Sequence, residues 1–152
     1  MTEPLNPADA RTGPDTEHQE LLQLLYAAPA GLVQIDDEGH IMLASAAAAQ
    51  MLLPLSAGRE LADLFALLAP AMPDLALRAR GGHPGELLID GEPLALRVGP
   101  EGRQRALVLS LTLRRLAADR LVAVLSDITA QVERERRLRQ SEAWLNAALT
   151  GI

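Results

Sequence analysis

The amino-acid sequence predicts an α+β domain: an antiparallel sheet with short helices gathered on one face and a long C-terminal helix. Three observations predict it. Two β-prone runs, 31–36 and 40–44, flank a polar turn; proline-punctuated apolar stretches follow; and from Glu86 onward the pattern changes to period two or continuous apolar runs. The final segment, 130 to about 149, has neither glycine nor proline and closes the plan with one long helix.

The elements follow in order. Residues 1–15 hold three prolines and almost no large apolar side chain, too little to offset the entropy of ordering, and read as a disordered leader. Thr16 and Gln19 form a capping-box pattern ahead of Leu21, Leu22, Leu24 and Leu25, and Pro29 stops the resulting helix, about 17–28. Gly39 suits the positive φ of the hairpin turn that follows. Ser45 is placed to cap a helix over 46–53, which Pro54 ends. Two more short helices are expected over 58–68 and 74–80, separated by Pro70 and Pro73 and closed by Gly81-Gly82. Strands are expected at 87–89, 94–98, 106–113 and 120–125, with Asp90-Gly91, Glu101-Gly102 and Ala118-Asp119 as turns. No internal repeat is present.

A chain of 152 residues that is 49% hydrophobic and 22% charged has the size and balance of one domain with a tail. The apolar part is mostly alanine and leucine, with Tyr26, Phe65 and Trp144 the only aromatics, so the core is aliphatic. Having no cysteine, the chain cannot use a disulfide frame, a thiolate nucleophile, a zinc–thiolate site or flavin–cysteinyl photochemistry. All 14 basic residues are arginine, and the net charge of −6 argues against a broad nucleic-acid face. No apolar run approaches the roughly 18 to 20 residues that span a bilayer, and the first 20 residues are polar rather than signal-like, which favours a cytoplasmic location.

Three segments resemble a PAS domain, the small sensory module of bacterial signalling proteins. Residues 28–41, Ala-Pro-Ala-Gly-Leu-Val-Gln-Ile-Asp-Asp-Glu-Gly-His-Ile, are similar to the entry into that family's first hairpin; Gly-Arg-Glu-Leu-Ala-Asp-Leu-Phe at 58–65 resembles its helical middle. Ser126-Asp127-Ile128-Thr129 resembles the Asp-Ile-Thr signature at the end of the last PAS strand, with Glu-Arg-Glu-Arg-Arg-Leu-Arg-Gln-Ser-Glu following. The resemblance spans about residues 17–142 and implies a five-stranded antiparallel sheet, against which the 87–98 region carries an extra hairpin-like stretch, in a PAS sensory domain over 16–129 with a signalling helix over 130–152. Ser45 stands where the family usually has an asparagine. Residues 141–152 are similar to the lead-in helix of a further PAS domain, which implies a multidomain sensor. Its output would be a diguanylate cyclase, a cyclic-di-GMP phosphodiesterase or a histidine kinase.

The Asp127-Ile128-Thr129 junction is where the sheet hands over to the helix. Thr129 is placed to cap the helix through its hydroxyl, Asp127 adds negative charge at the positive helix end, and Ile128 can pack on the core. Taken bare, these residues describe a well-capped helix; the resemblance implies a signal-relay junction. Along the helix, Leu138, Leu145 and Ile152 recur every seven residues with Leu149 between them, a seam for a homodimeric coil. Gln131, Arg134, Glu135, Ser141 and Glu142 make poor seam residues, so a weak coil and a solvated connector both fit.

No catalytic site is legible. His18, His40 and His83 lack metal-ligand spacing, no serine sits in a Gly-x-Ser-x-Gly frame, and Asp36, Asp37 and Glu38 cluster where acidic side chains commonly just solvate a turn. A haem-binding relative would place a histidine near 74–80, where there is none, and neither haem nor flavin is expected. A small apolar ligand would sit between helices and sheet, lined by Val33, Ile35, Met51, Leu64, Phe65, Leu109 and Leu111; the preferred alternative is that these side chains fill the core. The function expected is a non-catalytic sensory module, with a ligand-free dimerisation scaffold as the alternative.

Overall fold

Alternation of side chains along the leucine- and valine-rich runs builds strands with one face toward a common core. The computed structural model describes residues 30–151 together with Gln19, so the predicted leader, the 17–28 helix and Ile152 lie outside the described residues. In chain order the elements are β1 (Ala30–Asp36), β2 (Ile41–Ala44), α1 (Ala46–Leu52) with a 3-10 turn at Leu53–Leu55, α2 (Leu64–Leu68), α3 (Leu75–Arg78), β3 (Leu87–Val98), β4 (Arg105–Ala117), β5 (Arg120–Asp127) and α4 (Thr129–Thr150). The strands form one antiparallel sheet in the order β2-β1-β5-β4-β3. This is the predicted α+β plan, with the first and last strands of the domain side by side at the centre.

Inner-face rows are set by register. Val33 and Ile35 of β1, Leu121, Ala123 and Leu125 of β5, Leu107 to Leu113 in alternation on β4, and Leu94, Leu96 and Val98 of β3 are all buried. Ala48, Leu52, Leu64, Leu68, Met72 and Leu75 from the helical section close over them. Gly31 lets α1 approach the sheet: a Cβ there would lie 2.5 Å from the Ala48 backbone. Ser45 caps α1 as expected, accepting from the Ala48 amide at 3.3 Å and from the Leu32 amide at 2.9 Å. At the β1–β2 turn Gly39 has φ +95°, and the Phe65 ring occupies the space a Cβ would need.

Local structure departs from the sequence reading in three places. Asp90-Gly91 is not a hairpin turn: β3 runs through it as a bulge with two register shifts, Gly91 adopting φ 58° and donating its amide to Thr112 Oγ1 at 3.1 Å. Residues 58–63 are not helical. The Ala62 carbonyl accepts from the Ile41 amide at 2.8 Å, His40 bridges to Asp63, and α2 starts only where Asp63 caps the Phe65 and Ala66 amides. α3 is one turn rather than the seven residues 74–80. Beyond it the Ala79 and Gly81 carbonyls accept from the Arg115 side chain at 2.7 and 2.6 Å.

Candidate functional site

β5 passes into α4 across a single residue, Ile128, and β4 holds that passage from the side. The Ile128 amide donates to the Val108 carbonyl at 2.9 Å, and the Val108 amide donates to Thr129 Oγ1 at 3.0 Å. Asp127 Oδ1 accepts from the Thr129 amide at 3.0 Å and from its hydroxyl at 2.6 Å. The expected hydroxyl cap therefore does not form. Ile128, whose hydrocarbon side chain can accept no hydrogen bond, occupies the cap position, and the Thr129 hydroxyl is engaged by Asp127 and by the neighbouring strand. Ile128 itself is half-buried and lies outside the core cluster. The structure thus brings all three junction residues together, in a different arrangement from the one expected.

Beside the junction, on the inner face, a cleft of about 320 Å³ opens between α1 and the end of the sheet. Gln50, Met51 and Pro54 form one wall, Leu107 forms the floor, and Arg105 and Asp127 supply opposite charges. Both charged residues continue inner-face rows, since Arg105 precedes Leu107 by two on β4 and Asp127 follows Leu125 by two on β5. A second cleft of about 270 Å³ lies on the outer face, where Arg97 and Val108 meet Thr129, Val132 and Arg136.

At the opposite end of the same β4 row sits Arg115, 3% exposed. Its Nε–H donates to the Gly81 carbonyl at 2.6 Å, one terminal nitrogen donates to Ala117 and Ala118 at 3.2 and 2.9 Å, and the other donates to Ala79 at 2.7 Å and Asp37 Oδ1 at 3.1 Å. All five donors are used. Asp37 therefore does more than solvate a turn: it pins the β1–β2 tip to a buried guanidinium. Sequence reasoning passed over Arg115, although the period-two row 107, 109, 111, 113 lands directly on it. Nearby, Arg78 of α3 makes a bidentate pair with Glu92 of β3, and its hydrogen bond holds the Glu92 carboxyl below the usual range.

At the hairpin tip His40 Nδ1 lies 2.9 Å from Asp36 Oδ2. That hydrogen bond raises the His40 pKa above the ordinary imidazole value. For Asp36 desolvation pushes upward, but hydrogen bonds from His40 and Glu38 outweigh it and hold the carboxyl low.

Val33, Ile35, Leu64, Leu109 and Leu111 are fully buried within the core cluster, Phe65 packs against it over Gly39, and Met51 sits at its edge, bordering the inner-face cleft. Leu138, Leu145 and Leu149 project from α4 at 64%, 53% and 71% exposure, with Trp144 beside them. Among the described residues no group of three or more His, Cys, Asp or Glu side chains could hold a metal ion, and no helix is long and apolar enough to cross a membrane.

No family model matches the chain, and no curated protein does. Solved structures that resemble it include the PAS domain of an HTR-like protein from Haloarcula marismortui, at 16% identity and TM-score 0.44, covering 74% of this chain and 98% of that one. A domain of a sensory box sensor histidine kinase/response regulator from Geobacter sulfurreducens gives 19% identity and TM-score 0.43, with 76% and 98% covered. The PAS domain from Bordetella pertussis BvgS gives 17% identity and TM-score 0.40, with 84% and 98% covered.

Proposed function

We propose that the chain is a non-catalytic PAS-type sensory module, acting in the cytoplasm, that relays a conformational bias through α4 to a downstream output domain. A cyclic-di-GMP cyclase or phosphodiesterase, or a histidine kinase, is the output class that the sequence resemblance suggests. The observation that carries the reading is the double tie of Asp127-Ile128-Thr129 to Val108. With the first residues of α4 hydrogen-bonded to β4, a shift of the sheet end is passed to the helix rather than absorbed by a loop.

Exposed Leu138, Leu145 and Leu149 support a homodimer through α4, since an unpartnered apolar stripe gains by pairing with its copy. Output measured in the intact parent tests the relay: Asp127→Ala should uncouple it while the sheet still folds, and unchanged signalling would refute it. Sedimentation of the chain against Leu138→Glu/Leu145→Glu tests the coil, and equal self-association would remove α4 from the dimer.

The burial of Val33, Ile35, Leu64, Leu109 and Leu111 favours a second reading, a dimerisation scaffold with a filled core and no ligand. Native mass spectrometry separates the two: a reproducibly co-purified ligand supports sensing, and a bare protein supports the scaffold.

A further inference from the structure

The two arginines of the β4 inner row have opposite fates. Arg115 spends every donor inside the protein. Ion pairs among the described residues involve His40, Arg78, Arg115 and Arg137, so Arg105 has none. Asp127 is half-used: Oδ1 accepts twice from Thr129, while its second oxygen accepts no hydrogen bond among the described residues. Both groups line the same cleft, over an apolar floor and wall of Leu107, Met51 and Pro54.

We propose that this cleft binds a small linear zwitterion, its carboxylate on Arg105, its ammonium on the second oxygen of Asp127, and its methylene chain on Leu107 and Met51. Asp127 faces Leu109 across the ladder, and Arg105 lies four residues along β4 from Leu109, about 13 Å of strand. With the guanidinium and the carboxylate carried on backbones that far apart, the proposed ligand is an ω-amino acid, whose charges sit at the two ends of a methylene chain. Gln50 on the α1 wall adds an amide for either end. Arg105 suits a carboxylate because its planar fork matches two oxygens at once.

This site deepens the relay reading, on which its consequence rests: an ammonium drawing on Asp127 weakens the carboxylate's hold on the Thr129 amide and hydroxyl. The ligand would thus act on the first turn of α4 without entering the filled core.

The test is an amide NMR titration of the 152-residue chain with ε-aminocaproate, with caproate and n-hexylammonium as single-charge controls. Saturable shifts at Met51, Leu107 and Asp127 are expected, with affinity weakened about tenfold for either control and for Arg105→Gln or Asp127→Asn. Unchanged urea midpoints for the Arg105→Gln variant exclude a folding defect. Absent shifts, or equal affinity for caproate or for Arg105→Gln, would overturn the proposal. Shifts confined to the cleft, with Thr129 and Val132 unmoved, would uphold the site and refute the relay.

Discussion

The two ends of β4 treat the same residue type on the same face in opposite ways. At one end the sheet is closed by Arg115, whose donors gather the hairpin tip, the stretch after α3 and the β4–β5 turn. At the other, Arg105 stands open beside α1, and the sheet continues into α4 through three residues tied to one another, to Val108 and, through the ladder, to Leu109. A guanidinium brought inside must be fully matched, whereas one left at the rim stays solvated and available. One end is fastened on several sides, and the proposed relay runs through the other.

Breaking the closed end should have the largest effect. Arg115→Met strips donors from four carbonyls and leaves Asp37 without its cation, costing about 3–5 kcal/mol of stability in urea denaturation. Arg105→Ala on the same row should stay within about 0.5 kcal/mol. Similar losses for both would erase the contrast.

Overpacking comes next. Gly31→Ala forces a methyl into the Ala48 backbone beside the open end and should cost about 1–3 kcal/mol by the same assay. A neutral outcome would mean that α1 moves aside freely.

Asp127→Ala is expected to cost about 1 kcal/mol globally, since the carboxylate is exposed. Its local effect is larger: hydrogen exchange should speed up at Thr129 and Val132 and stay unchanged at Val33 and Leu121.

The smallest effect is the pH response of the hairpin tip. Folding raises the His40 pKa, so its pairing with Asp36 stabilises the fold fully below the ordinary imidazole pKa of 6.5 and is lost as pH rises through the raised value. Asp36 is lowered, so its share is present above the ordinary carboxylate value of 3.8 and lost as pH falls through the folded value. The pair thus contributes within a window bounded by these two values. The denaturation midpoint of the wild-type chain should fall relative to His40→Ala as pH is raised from 6.5 through the elevated His40 value, and parallel curves would contradict this.

What the sequence made legible follows from how each signal is stored. Alternation along β1, β4 and β5 is local, and so were their existence, the α+β class, the Ser45 cap and the passage at 126–130. The Asp90-Gly91 bulge looked like a turn because the same dipeptide serves both, and only pairing with Thr112 across the sheet decides between them. Residues 58–63 read locally as helix, but the Ala62 carbonyl accepts from the Ile41 amide and the Leu64 amide donates to the Gly39 carbonyl, contacts more than twenty positions away. The five-donor role of Arg115 depends on three separate segments and left only one trace, a charge on an apolar row. Arg105 left the same trace at the opposite end of that row.

The central claim is that α4 takes its orientation from β4 through Thr129. Paired spin labels, one on the outer face of β1 at Gln34 and one on α4 at Gln140, measure it directly in the wild-type chain and in Thr129→Val, which keeps the shape and removes the hydroxyl. A displaced or broadened distance distribution in the variant, with sheet amides still protected, is the predicted result. Superimposable distributions would show that the helix is aimed by something other than this junction.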